Sequence, residues 1–216
     1  MAKIRILPGI LTETREELIE KISQVESLVN RIQVDIVGRA FSSQPTVAIE
    51  ALETIQTDSL FDIHLMVREP ITFLNRCDAV GVERVFGHVE YMQSQEEFIE
   101  HAFALGMEVG LALDLSTPVS TIEKVIEQID ALLIMAVPAG KSGQKFDPAV
   151  LPKIGEAANY GLDIPICVDG GITPLTIVPC IEAGAREFAV TSYLWQSSDI
   201  GKALGELQEE IGRAHV

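Results

Sequence analysis

Apolar, strand-like segments alternate with helix-like ones eight times along this chain, and no linker-like stretch interrupts the alternation. Buried strands separated by helices require a parallel sheet, because each connection must cross back over a face of the sheet. The strand pattern occupies Lys3–Leu7, where Pro8-Gly9 is expected to break it, then Ile32–Val37, Leu60–Val67, Glu83–His88 and Glu108–Leu113. It continues at Ala131–Val137, Ile164–Asp169 and Arg186–Val190. Helical spacing of apolar residues covers 14–29, with Thr12 as its expected cap, and then 45–55, 70–77, 94–105 and 118–129. Further helices are predicted over 148–160, 174–183 and 200–213. Eight such units in 216 residues fit a single α/β domain over 1–216, a (β/α)8 barrel, better than an open sheet. No GxGxxG follows the first strand, which weakens a dinucleotide-binding reading.

In such a barrel the loops after the strands build the site, so polar residues at strand C-terminal ends are the candidates. These are Asp35, His64, His88, Asp114, Gln144 and Asp169. Asp35 and His64 sit within apolar strands and face the barrel interior if the alternation holds. A buried carboxylate or imidazole needs a partner, so Asp35, His64 and Asp169 should share a cation or a hydrogen-bond network. A second constellation is glycine-rich. Gly140-Lys141-Ser142-Gly143 after the sixth strand, Gly170-Gly171 after the seventh and Thr191-Ser192 after the eighth together form a plausible phosphate cup.

Charge narrows the class of partner. The formal net charge is −16, from 32 acids against 16 bases, which repels nucleic acid and anionic membranes. An anionic small substrate then needs local donors. No apolar run reaches membrane-spanning length, no signal-peptide pattern opens the chain, and Cys77, Cys167 and Cys180 show no CxxC spacing. The expected location is the cytoplasm.

Three motifs carry a resemblance to a known family. Phe61-Asp62-Ile63-His64-Leu65-Met66-Val67, Ser142-Gly143-Gln144-Lys145-Phe146 and Val168-Asp169-Gly170-Gly171-Ile172 resemble the ribulose-phosphate 3-epimerase family, in an order and spacing that agree from about Ile6 to Trp195. The resemblance implies the same barrel, a phosphorylated sugar as substrate, and interconversion of ribulose 5-phosphate and xylulose 5-phosphate by proton transfer at C3. By position it implies Asp35 and Asp169 as acid and base. It implies Gln33, Asp35, His64 and Asp169 as ligands of a divalent metal (Zn, Fe, Mn or Co). Met66 and Met135 match methionines around the site, Gly9 stands where a substrate-contacting serine is usual, and a homo-oligomer is implied.

The chain also departs from that pattern. Gln33 replaces a histidine, and an amide oxygen is a weaker transition-metal donor, so metal affinity falls or is lost. Ile36-Val37-Gly38-Arg39 replaces a Met-Asp-Gly run, Asp114-Leu115 replaces Asn-Pro, and Thr191 replaces the glycine of a Gly-Ser pair. Three readings follow: an epimerase on a ketose phosphate, another phosphosugar lyase or synthase on the same barrel, or a non-catalytic relative that binds a phosphorylated ligand or a protein. The Asp-x-Lys-x-x-Asp signature of decarboxylase relatives is missing after the second strand.

Overall fold

Eight parallel strands close on themselves in chain order, as seen in a computed structural model that describes residues 4–214. They are β1 (Arg5–Ile10), β2 (Arg31–Val37), β3 (Leu60–Met66), β4 (Arg84–His88), β5 (Glu108–Leu113), β6 (Ala131–Met135), β7 (Ile166–Asp169) and β8 (Glu187–Val190). The seam joins β1 to β8, with Pro8 opposite Val190, while Gly9 lies opposite Gln33 of β2. The fold expected from the alternation is therefore present. Pro8-Gly9 does not end the first strand as expected. Proline's fixed φ suits extended backbone and costs only one ladder donor. The expected start at Lys3 lies outside the described residues.

Helices cover the outside: α1 (Arg15–Val25), α2 (Leu74–Ala79), α3 (Gln95–Ala104), α4 (Val150–Ala158), α5 (Pro174–Ala183), α6 (Ser192–Trp195) and α7 (Ile200–Arg213). Thr14 rather than Thr12 caps α1, accepting from the Glu17 N–H at 3.3 Å, while Thr12 donates to the Glu17 carboxylate. Two predicted helices shrink to short 3₁₀ turns. Between β2 and β3 only Ile49–Leu52 turns, because Thr46 is tied to the end of β2. Its hydroxyl donates to Asp35 O at 2.9 Å and accepts from Val37 N at 2.8 Å, holding the chain extended. Between β5 and β6 the turns are Val119–Ile122 and Ile126–Gln128, in a run rich in β-branched residues that favour helix weakly.

Alternate residues of each strand point inward, and the interior is stacked in three levels. At the closed end, Arg31, Asp62, Arg84 and Glu187 form a buried ionic network. Arg31 donates to Asp62 at 2.9 Å, and Arg84 donates to Asp62 at 2.5 Å and Glu187 at 2.6 Å. A belt of Leu7, Phe86, Ala112, Ala131, Leu133, Cys167 and Ala189 fills the middle. Gly110 is what admits the Phe86 ring, since a Cβ there would lie 2.2 Å from it. Above the belt, at the strand C-terminal ends, Gln33, Asp35, His64, His88 and Asp169 form the polar level. Water is thus kept from beneath the polar level by packed carbon.

Candidate functional site

Register sets the geometry of the polar level. Asp35 and His64 are neighbours across β2 and β3, and Asp169 projects from the end of β7 beside Met135 of β6. Gln33 lies one inward step below Asp35. Its amide nitrogen bridges the two acids, donating to Asp35 Oδ1 at 2.9 Å and to Asp169 Oδ2 at 2.7 Å. Its oxygen, Oε1, is buried without a hydrogen-bond partner among the described residues. His64 Nδ1 faces the same two oxygens at 3.4 and 3.5 Å, too far for directed hydrogen bonds, and is likewise unpartnered.

These distances carry a charge balance. Burial alone would depress the His64 imidazole, but the Asp169 and Asp35 carboxylates beside it raise it to about 9. Burial raises Asp35, and the charge of Asp169 adds to that, while His64 and Gln33 oppose it. The site therefore places one positive charge against two acids in a dry pocket.

A divalent cation suits the same arrangement. The ligand atoms of Asp35, His64 and Asp169 all lie within 4.8 Å of one another, and all three residues are buried. Two carboxylates and one imidazole nitrogen are the donors that zinc, iron, manganese or cobalt accept. The unpartnered His64 Nδ1, facing both carboxylates at 3.4 and 3.5 Å, is the specific sign of fit. Gln33, as placed, offers the group a nitrogen that carries hydrogens, so its oxygen would face the centre only after a half-turn of the amide.

Behind His64 the polar level continues outward. His64 Nε2 meets His88 Nε2 at 2.9 Å, and His88 Nδ1 meets Glu90 Oε2 at 3.1 Å. Glu90 Oε1 accepts from the Asp114 N–H at 2.8 Å. Burial would raise Glu90, but hydrogen bonds from His88, Thr117 and the Asp114 amide outweigh it and hold the carboxylate at about 2. Lys153 of α4 donates to Asp114 O at 2.6 Å, and its burial lowers the ammonium to about 8. Neither Glu90 nor Lys153 is among the residues selected by sequence. Glu90 sits two residues past His88, in strand phase but beyond the strand end. Lys153 lies on the apolar stripe of α4 with Val150, Ile154 and Ala157, a polar interruption that marks it.

Above the acids opens a narrow cleft. Asp35, Asp169, Met66 and Met135 form its floor and walls, and Gly140, Lys141, Ser142, Gly143, Gly170, Gly171, Thr191 and Ser192 surround its mouth. Gly170 and Gly171 have φ of 111° and 64°, and a Cβ on Gly171 would lie 2.5 Å from the Phe146 backbone nitrogen. The turn therefore demands glycine on two counts. Gln144 donates to Pro138 O at 2.7 Å and Lys141 O at 3.0 Å, so it braces the loop rather than facing the acids. Gly9 lies outside the residues that line the cleft. The Thr191 hydroxyl stands 2.3 Å from where a Gly9 side chain would begin, so it fills that place from just past the end of the neighbouring β8.

A closed eight-stranded parallel barrel with helices outside it and an acidic centre at the strand C-terminal ends defines a (β/α)8 protein. Residues 5–195 match the family model described as "Ribulose-phosphate 3 epimerase family", and the chain belongs to that family. It is 32% identical to the Bacillus subtilis protein named ribulose-phosphate 3-epimerase over 213 residues, covering 95% of this chain and 98% of that one. It is 27% identical to the protein of the same name from Schizosaccharomyces pombe, covering 99% and 96% of the two chains. Among solved structures, a Pyrococcus furiosus tryptophan synthase α-subunit superposes with a TM-score of 0.72 at 14% identity, covering 97% of this chain and 100% of that one. A 3-hexulose-6-phosphate synthase gives 0.68 at 16%, covering 97% and 99%. At such identities these two show the barrel alone. No helix among the described residues is long and apolar enough to cross a membrane.

Proposed function

We propose that this chain epimerises a pentulose 5-phosphate at C3, interconverting ribulose 5-phosphate and xylulose 5-phosphate. The observation that carries the reading is the pair of acids from opposite parts of the barrel, Asp35 on β2 and Asp169 on β7, held together by one amide at 2.9 and 2.7 Å. Inverting a carbon by proton transfer needs a base on one face and an acid on the other, and two carboxylates can exchange those roles in the reverse direction. Asp35, raised by burial, keeps a proton more readily than a free aspartate and suits the donor role in one direction. Met66 and Met135 wall the acids with carbon and exclude water that would otherwise take up the proton.

Asp35, His64 and Asp169, with Gln33 after rotation of its amide, would hold the divalent cation. Bound there, the cation would polarise the neighbouring carbonyl and so acidify the C3 hydrogen. The phosphate would lie in the cup of Gly140, Lys141, Ser142, Gly143, Gly170, Gly171, Thr191 and Ser192, where Lys141 supplies positive charge in a chain of net charge −16. Gly9 contributes by leaving room for the Thr191 hydroxyl. Self-association and a cytoplasmic location belong to the same proposal. The direct test is conversion of ribulose 5-phosphate by the purified protein, with and without prior chelation and with Zn²⁺, Mn²⁺ or Co²⁺ restored. Conversion supports the reading, and its absence under every condition refutes it.

Two outcomes follow for the metal. A cation binding His64 Nδ1 must displace its proton, which the carboxylates retain up to about pH 9. Affinity for Co²⁺ should therefore rise by about tenfold per pH unit below that value and level off above it. Co²⁺ absorption titrations across pH 6–9 read this directly, and a flat profile would place the ion away from His64. Gln33→His supplies an imidazole nitrogen in place of an amide and should raise Co²⁺ affinity on the order of tenfold or more. Calorimetry on the two proteins checks it.

A further inference from the structure

The chain of contacts behind His64 has a direction, and the direction is set at its outer end. Glu90 has a side chain 22% exposed, sits in the 3₁₀ turn Val89–Tyr91 just after β4, and uses its two oxygens differently. Oε1 accepts the backbone N–H of Asp114 at 2.8 Å, a group that can only donate. Oε2 lies 3.1 Å from His88 Nδ1. An ionised carboxylate can only accept, so the hydrogen on this contact belongs to His88 Nδ1. A neutral His88 then has a bare Nε2, which must accept from His64 Nε2 at 2.9 Å. With one hydrogen committed to Nε2, His64 is left with Nδ1 as the nitrogen that gives up its proton, and becomes a lone pair, when a cation enters. That atom is the unpartnered one facing Asp35 and Asp169 at 3.4 and 3.5 Å.

We infer that Glu90, acting through His88, is a positioning residue that decides which nitrogen of His64 carries the hydrogen, and so presents Nδ1 as a free ligand to the acidic centre. The inference rests on the reading that this centre holds a cation. It assigns Glu90 and His88 no contact with substrate. Outer partners of this kind fix both the tautomer and the orientation of a ligating imidazole. Two further features support rigid control. The His64 and His88 rings stack with centroids 5.0 Å apart, and Phe41 from the loop after β2 closes on His88 at 5.1 Å. The Asp114 carbonyl at the far end is in turn fixed by Lys153 Nζ at 2.6 Å.

Glu90→Gln is the informative variant because the Asp114 N–H orients the new amide. Its oxygen must stay on that N–H, which turns the NH₂ toward His88 Nδ1. A donor there makes Nδ1 an acceptor, moves the His88 hydrogen to Nε2, and makes His64 Nε2 an acceptor as well. The hydrogen that neutral His64 keeps then sits on Nδ1, between the acids, where it blocks a cation, instead of on Nε2 as in the parent. The experiment is ¹⁵N NMR of protein labelled at histidine, with and without Zn²⁺, for the parent and Glu90→Gln, together with Zn²⁺ calorimetry on both. The parent is expected to show His88 with hydrogen on Nδ1 and, with Zn²⁺, His64 with hydrogen on Nε2. Glu90→Gln is expected to show His88 with hydrogen on Nε2 and Zn²⁺ affinity about 10- to 100-fold lower. A parent His88 carrying its hydrogen on Nε2 would overturn the inference, as would an unchanged tautomer pattern in Glu90→Gln. If Glu90→Gln fails to fold, the parent spectrum alone still decides the direction of the chain. Expected tautomers in a parent that binds no Zn²⁺ would uphold the relay while removing the cation reading, so the two fail separately.

Discussion

Asp35→Asn and Asp169→Asn should each lower the rate of ribulose 5-phosphate epimerisation by about a hundredfold to ten-thousandfold, the range that one positioned acid or base contributes. Both substitutions keep size and shape, and in each the new amide oxygen can still accept from Gln33 Nε2, which now bridges the pair at 2.9 and 2.7 Å. The fold should therefore persist, with circular dichroism and melting temperature near those of the parent. What disappears is proton transfer, together with one anionic ligand oxygen at the centre defined by Asp35, His64 and Asp169. Steady-state turnover of both variants checks the expectation. A rate within tenfold of the parent for either one would remove that residue from the acid–base pair.

The second large effect lies at the other end of the barrel and concerns stability alone. Arg84→Ala should cost about 3–5 kcal/mol, because it strands buried carboxylates that Arg84 now pairs. Arg84 is 1% exposed and donates to Asp62 at 2.5 Å and to Glu187 at 2.6 Å, and both acids are themselves almost fully buried. Burial raises Asp62 to about 6 even with Arg84 and Arg31 pulling it down. Its folded value thus lies above its ordinary 3.8, so the folded protein binds the proton more tightly and stability falls as pH rises between those values. Removing Arg84 widens that window upward, so the loss should be larger at pH 7.5 than at pH 5. Urea unfolding at both pH values measures it. Replacing Arg84, Asp62 and Glu187 together by apolar residues of similar volume should cost far less than Arg84→Ala alone. Equal losses in the two variants would mean that packing, not charge pairing, sets the effect.

The barrel was legible because strand and helix periods differ and alternate eight times. The inward positions of Asp35 and His64 were expected from period-two alternation, and contacts through Gln33 and His64 bring their side chains together with that of Asp169. The two shortened helices were not legible in the same way. Their apolar spacing is helical, but Thr46 spends its hydroxyl on β2, and Val125 interrupts the second run with φ −121°. The ionic network was also missed, since nothing in the local sequence around Asp62, Arg84 or Glu187 marks that these residues converge inside the barrel. Asp62 and His64 share one strand and one inward face, yet sit at opposite ends of the interior. Only the shear of the closed sheet tells which level each occupies. The role of Gln33 likewise needed coordinates, because a sequence does not reveal whether an amide offers its oxygen or its nitrogen.

The most direct measurement is exchange of the C3 hydrogen of ribulose 5-phosphate with solvent deuterium, followed by NMR, for the parent, Asp35→Asn and Asp169→Asn. The account predicts exchange in the parent, accompanied by xylulose 5-phosphate, and its near-complete loss in both variants. Exchange that continues unchanged in either variant, or a parent that neither exchanges nor epimerises with Zn²⁺, Mn²⁺ or Co²⁺ supplied, would contradict it.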